Sequence, residues 1–370
     1  TFYLDGGVNL GNTVTIHGGS DIGTGDTLAI YEDHVVLRHE QGTDISIVDM
    51  DAYDNDQNAT DMLFNAEDLA TDTLSVEDGV ELFVQSGYTF APVGNITSSH
   101  DIEIDGTWTA AVSETVNLSG TYKLDSGGTL NASSSTITFD GTAGTEDLIP
   151  LGTVDFYDLV INDAGTGTGL TVEVEDPLVV DNDLTITGGT LDVVSGENNQ
   201  ISVGGNWDND DIFVPQQGTV LLNPDAALTY TIDSDGSTAD DYFYNLTLND
   251  GGAGATNQLL NDLDVNNNLT ITGGTLDSNG FDTYVGGNFD SDDLFLPDSN
   301  TLYMDGTGAT TYTIDSDGSS ADDSLYNIIF NDSGTGTTYQ LLSDLDANNN
   351  LTITGGTLDS NGFDTYVGGN

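Results

Sequence analysis

The chain has 370 residues and a formal net charge of -61, from 63 acidic residues against Lys123 and Arg38. That balance excludes nucleic acid and anionic membrane surfaces as direct partners, since phosphates need cationic side chains. The absence of Cys excludes disulfides and thiolate metal sites. Apolar residues make up 36% and alternate regularly, so the chain reads as folded despite an acidity typical of disorder. Folding against that self-repulsion implies bound or condensed cations. No apolar run approaches the ~20 residues of a membrane span.

Residues 1–96 form a divergent β-rich region. Thr1–Gly6 resembles Thr301–Gly306 and Thr136–Gly141, so the sequence reads as opening in mid-repeat. His34, Arg38 and His39 share an apolar stretch that reads as an ion-paired strand, with a metal or pH-sensing role the sharper alternative. Asp49, Asp51, Asp54 and Asp56 are the densest acidic run outside the repeats, and Thr73–Val93 alternates as strands do.

Residues 97–156 are a degenerate repeat, followed by copies at 157–243, 244–325 and, incomplete, 326–370. LTITGGTLD recurs at Leu184, Leu269 and Leu351, VGGN at Val203, Val285 and Val367, and TYTIDSDGS at Thr229 and Thr311. The two VGGN steps and the TYTIDSDGS step are all equal, so these markers keep one phase. The first copy is longer, with extra residues in Val193–Ser202 and between Asn162 and Leu184, which places those insertions in loops.

Within each copy the apolar period is two. Leu269 and Ile271 face one way and Thr270 and Thr272 the other, and each run ends in GG, DGTG or DSDG. The fold class is all-β. Two architectures fit: a parallel β-helix (solenoid) with about four coils of roughly 20 residues per repeat, or tandem β-sandwich domains, one per repeat. The solenoid is favoured because strand–GG–strand signals recur at coil spacing and no linker separates the copies. Asn266–Asn268 and Asn348–Asn350 suit polar ladders at a coil corner. Trp108, Trp207 and Phe289 read as core fillers, with sugar stacking the alternative. Neither end shows a capping helix, so open strand edges call for head-to-tail stacking or further chain.

The candidate ligands are carboxylates. Asp233, Asp235, Asp240 and Asp241 form one acidic turn, and Asp315, Asp317, Asp322 and Asp323 form its copy. D-x-D-G puts two carboxylates on one turn, with Gly folding the chain round an ion, so Ca2+ is the expected cofactor. The EF-hand spacing is absent, because Thr231 and Thr313 fill the first ligand position and no Glu closes the loop. A solvated acidic turn is the plainer alternative. Asp208, Asp210 and Asp211, with Asp290, Asp292 and Asp293, add further acidic turns. With 63 acidic residues, carboxylate pairs at glycosidase spacing arise by chance, and two basic residues cannot neutralise a uronate substrate. An enzyme is therefore not expected, a carbohydrate-active β-helix enzyme being the minor alternative. An intramolecular isopeptide could use only Lys123, so the repeats cannot be stapled that way.

The run NNNLTITGGTLDSNGFDTYVGGNFDSDD, with TLYMDGTGATTYTI and YNIIFND, resembles repeats of large secreted prokaryotic surface proteins similar to filamentous-haemagglutinin-like adhesins. The resemblance covers residues 97–370 and implies an extracellular, right-handed β-helix. It implies a structural segment of a filament, stalk or cell-surface fibre, whose partners would be copies of itself. An adhesin binding glycans or cell surfaces is the alternative. The extreme acidity departs from that pattern and fits a high-salt habitat or Ca2+-dependent assembly.

Overall fold

The computed structural model describes residues 2–4, 11–16, 31, 33–39, 44–51, 64–67, 72–98, 100–151, 153–163, 169–234, 241–316, 324–332 and 336–369. Contacts divide the chain into two compact units: Thr1–Val179 with Gly188–Leu191, and Val180–Thr187 with Asp192–Asn370. Both are stacks of short parallel strands, each pairing with a strand about one coil away. That is a β-solenoid, and it displaces the sandwich alternative. Among the described residues the one helix is Ile47–Asp51, far too short to cross a membrane.

In the first unit, Leu82, Ile102 and Tyr122 stack in register coil upon coil, as do Ile96, Val116 and Ile137. A third sheet carries Phe90, Trp108 and Leu130. Two sheets end in antiparallel strands: Phe2–Leu4 on Gly11–Ile16, and Phe64–Glu67 on Thr73–Val76. Ser46 begins the helix as a cap, its amide and hydroxyl donating to Asp49 at 3.0 and 2.6 Å.

In the second unit the chain visits three sheets in turn. Leu269–Ile271 lies on the first, Thr275–Asp277 on the second, Thr283–Val285 on the third, and Phe289–Ser291 returns to the first. Leu246, Leu269, Phe289, Ile314 and Leu341 form one inward column on the first sheet, all fully buried. Each such side chain contributes roughly 1.5–3 kcal/mol by burial. The threonines between them face out, as the alternation requires.

The VGGN motif follows from the stacking. A Cβ on Gly286 would fall on the Asn266 carbonyl, and one on Gly287 on that of Asn267, both far inside van der Waals contact. The glycine pair lets one coil corner rest on the corner below. The following asparagine then ladders: Asn288 donates its backbone N–H and its amide to Asn268 Oδ1 at 3.0 and 2.9 Å. Asn288 Oδ1 in turn accepts from the Thr313 backbone at 2.8 Å. The predicted asparagine ladders are present at Asn267–Asn245 and Asn349–Asn327 as well.

The repeat is not a whole number of coils. Ile328 is the copy of Leu246, yet it falls between Ile314 and Leu341, the third and fourth returns to Leu246's sheet. It lies on the third sheet, two sides further round, so one repeat makes three and two-thirds coils. Equivalent residues of consecutive copies thus occupy different sheets. Trp207 is on the second sheet and Phe289 on the first.

Asn257 interrupts the core. It occupies the inward position that Tyr339 fills one repeat later, and both its amide atoms are buried without a partner among the described residues. Tyr339 instead donates its hydroxyl to the Met304 carbonyl at 2.8 Å. Replacing Asn257 by Leu removes the desolvation penalty, so thermal unfolding should shift upward by about 1–3 kcal/mol of stability. An unchanged or lower melting temperature, against Leu276→Ala as a destabilised control, would refute this account.

Candidate cation sites

Parallel register brings carboxylates of successive coils together. Asp208 pairs directly with Asp233, and Asp210 follows Asp208 on the same outward face. One carboxylate oxygen from each of Asp208, Asp210 and Asp233 lies within 4.8 Å of the others. Desolvation, then the charges of Asp210, Asp233 and Asp183, raise the Asp208 pKa. One repeat later Asp290 pairs with Asp315, and burial followed by the charges of Asp292 and Asp315 raises it likewise. Two carboxylates at that spacing repel by about 1–4 kcal/mol, between bulk water and an effective dielectric near 20. A hard, oxygen-loving cation would reverse that sign.

The predicted acidic turns are only partly assembled in this way. Asp233 and Asp315 join ladders with residues of the preceding coil. Asp233 also accepts a hydrogen bond from the Asn261 amide. Asp241 accepts from the Phe213 backbone N–H at 3.0 Å. Asp235, Asp240, Asp317, Asp322 and Asp323 lie outside the described residues. Asp208 and Asp210 look like an isolated turn in the sequence. Their signal is the coil spacing, which sets Asp233 beside Asp208 one coil on.

Two further groups occur in the first unit. Asp147 pairs in register with Glu173, and Glu175 completes a triad within the same 4.8 Å. Glu103, Asp105 and Asp125 form the other. Lys123 already serves that group: its ammonium donates to Glu103 and stands 3.2 Å from Asp125. Asp105 is pushed up to about 6, first by desolvation and then by a hydrogen bond with Asp125. Lys123 is thus a local counter-ion, and its contacts are carboxylates rather than an asparagine.

The other candidates resolve as structure. His34 Nε2 lies 3.4 Å from Glu81 on the neighbouring strand. Arg38 sits over the Tyr88 ring at 5.9 Å. His17 lies outside the described residues. Trp108, Trp207 and Phe289 are buried core residues, packed edge-on against Phe90, Phe213 and Phe295, so none is a sugar platform.

Glu114 is a buried carboxylate the sequence does not flag. It accepts from Trp108 Nε1 at 3.2 Å and from the Ala111 N–H at 3.0 Å. Burial outweighs those two donors and pushes its pKa up to about 7. Glu81 is also pushed up to about 7, by desolvation and then by Glu103. Comparison with family models, curated proteins and solved structures finds no match to this chain.

Glu81 and Glu114 bind protons more tightly folded, at about 7, than at their ordinary 4.5. Their stabilising contribution is therefore full below the ordinary value and lost as pH rises through about 7. Melting temperature at constant ionic strength should fall between about pH 5 and about pH 8. Glu114→Gln should flatten that slope, and an unchanged slope would count against Glu114. Millimolar CaCl2 should raise the melting temperature above NaCl of equal ionic strength, and Asp208→Asn with Asp233→Asn should shrink that difference. Identical melting in the two salts would remove the divalent sites from consideration.

Proposed function

We propose that the chain is a cation-stabilised structural segment of an extracellular filament, stalk or cell-surface fibre, associating with copies of itself, and that it is not an enzyme. The observation that supports this most is the acidic ladder recurring with the repeat, Asp208–Asp233 and then Asp290–Asp315. A catalytic centre is one arrangement made once, whereas a load-carrying repeat needs the same neutralised ladder in each copy. The all-oxygen triads suit Ca2+ or the monovalent ions of a salt-rich medium. Repeat copies stacking coil upon coil give such a segment its length without a new core.

Immunogold electron microscopy of the producing cells, with antibody against the chain, tests the role. Label along surface filaments or sheath is the expected result. Label confined to the cytoplasm would overturn it.

A second reading, an adhesin holding glycans or neighbouring cells, is favoured by one corner of the second unit where the repeat pattern is broken.

A further inference from the structure

That corner lies between the third and first sheets of the second unit's later coils. Gln216 and Gln217 precede the strand Thr219–Leu222, and Tyr242 and Tyr244 flank the approach to Asn245–Leu248. Asn266 and Gly286 occupy the next two coils, and Asp305 the one after. Five consecutive coils therefore contribute to one cleft of about 490 Å³, within the ~300–1,000 Å³ usual for small-ligand sites. Gly286 lines it at a point where the Asn266 carbonyl forbids a side chain.

The lining departs from the repeat. One copy later, the positions of Gln216, Gln217 and Tyr242 hold Asp298, Ser299 and Ser324. The long amides and the second phenol are thus confined to this copy. The other lining positions Tyr244, Asn266 and Gly286 recur as Tyr326, Asn348 and Gly368.

The chemistry is specific in kind. Tyr242 and Tyr244 are half-buried and offer apolar faces with polar edges. Gln217 and Asn266 are exposed, and neither amide hydrogen-bonds another group of the chain among the described residues. A free amide presents a paired donor and acceptor. Gln216 is held in place, donating to Asp192 at 2.9 Å. Asp305 supplies an acceptor, and Asp264 is close enough to feel its charge. Aromatic faces, amides and a carboxylate fit a ligand with apolar ring faces and many hydroxyls. The carboxylates and the net charge of -61 exclude an anionic one.

We propose that this cleft binds a neutral oligosaccharide, its sugar rings lying on Tyr242 and Tyr244 and its hydroxyls meeting Gln217, Asn266 and Asp305. The proposal deepens the adhesin reading and rests on it for its biological meaning, while the binding itself is independent of any attachment to cells.

Isothermal titration calorimetry of the full chain tests it, with cellotetraose, maltotetraose, mannotetraose and chitotriose as probes and trigalacturonate as the acidic comparator. At least one neutral probe should bind, and Tyr242→Ser with Gln217→Ser should weaken it by about tenfold or more. Both side chains lie at the surface of the coil, Gln217 exposed and Tyr242 half-buried, so circular dichroism and melting should stay at wild-type values. Gln216 and its copy Asp298 share the left-handed backbone, with φ of 49° at both, so Gln216→Asp is a third compatible exchange. Failure of all four neutral probes to bind, trigalacturonate binding as tightly, or unchanged affinity in the folded double variant would each overturn the proposal. Adhesion of the producing cells to glycan-coated surfaces is a separate measurement. If it fails while calorimetry succeeds, the adhesin reading falls and the cleft stands.

Discussion

Register between coils is the constraint on which the rest depends. Parallel strands about 4.8 Å apart place each outward side chain above its counterpart one coil earlier. Whatever the sequence repeats at coil spacing is therefore forced into contact. Apolar residues benefit, as in the column from Leu246 to Leu341. Asparagines benefit because an amide can donate to the coil below and accept from the coil above, and Tyr284 and Tyr303 stack with centroids 4.6 Å apart and planes at 7°. Aspartates do not benefit. Asp208 on Asp233 and Asp290 on Asp315 are like charges held together by backbone hydrogen bonds that serve the core.

The acidity and the fold are thus in direct conflict, and the molecule meets that conflict locally. Lys123 offsets part of the charge of Glu103 and Asp125 on one ladder. Burial and neighbouring charge raise carboxylate pKa values on others, including Asp208 and Asp290, so that part of the charge can be titrated away. Single side chains cannot do this for 63 acidic residues with one Lys and one Arg. The remainder falls to solvent cations, which makes the ionic medium part of the structure's stability in a way that buried apolar columns alone would not.

Much of this is legible in the sequence, and the limits are physical. Period-two alternation with GG turns identifies the strands, and the repeated asparagines identify the ladders, because those signals are local. Trp108, Trp207 and Phe289 are readable as core from their place in alternating runs. Asp233 stands out in the sequence with its own turn, whereas the structure pairs it with Asp208 on the preceding coil. That neighbour depends on coil length, which varies: the step from Ile314 to Leu341 is longer than that from Leu269 to Phe289. Glu114 is invisible because nothing in a polar residue's local context announces that a tryptophan will cover it. The cleft is invisible because its lining comes from five coils.

The fractional phase of the repeat has a consequence for all of these sites. If one repeat made a whole number of coils, every copy would add its acidic ladder to the same sheet, and repulsion would accumulate along one face. With three and two-thirds coils, the ladder of Asp208 and Asp233 and that of Asp290 and Asp315 fall on different sheets. Like charges are then separated around the coil as well as along it, so salt, which screens exposed charges over roughly 8–10 Å, uncouples them more fully. The same phase explains how one corner could diverge without disturbing its copies. The residues equivalent to Tyr244 sit on other corners, under other neighbours, so a change at Gln217 or Tyr242 meets no copy of itself in the next coil. A repeat out of step with its own coil can therefore keep a uniform core while letting one surface differ from the rest.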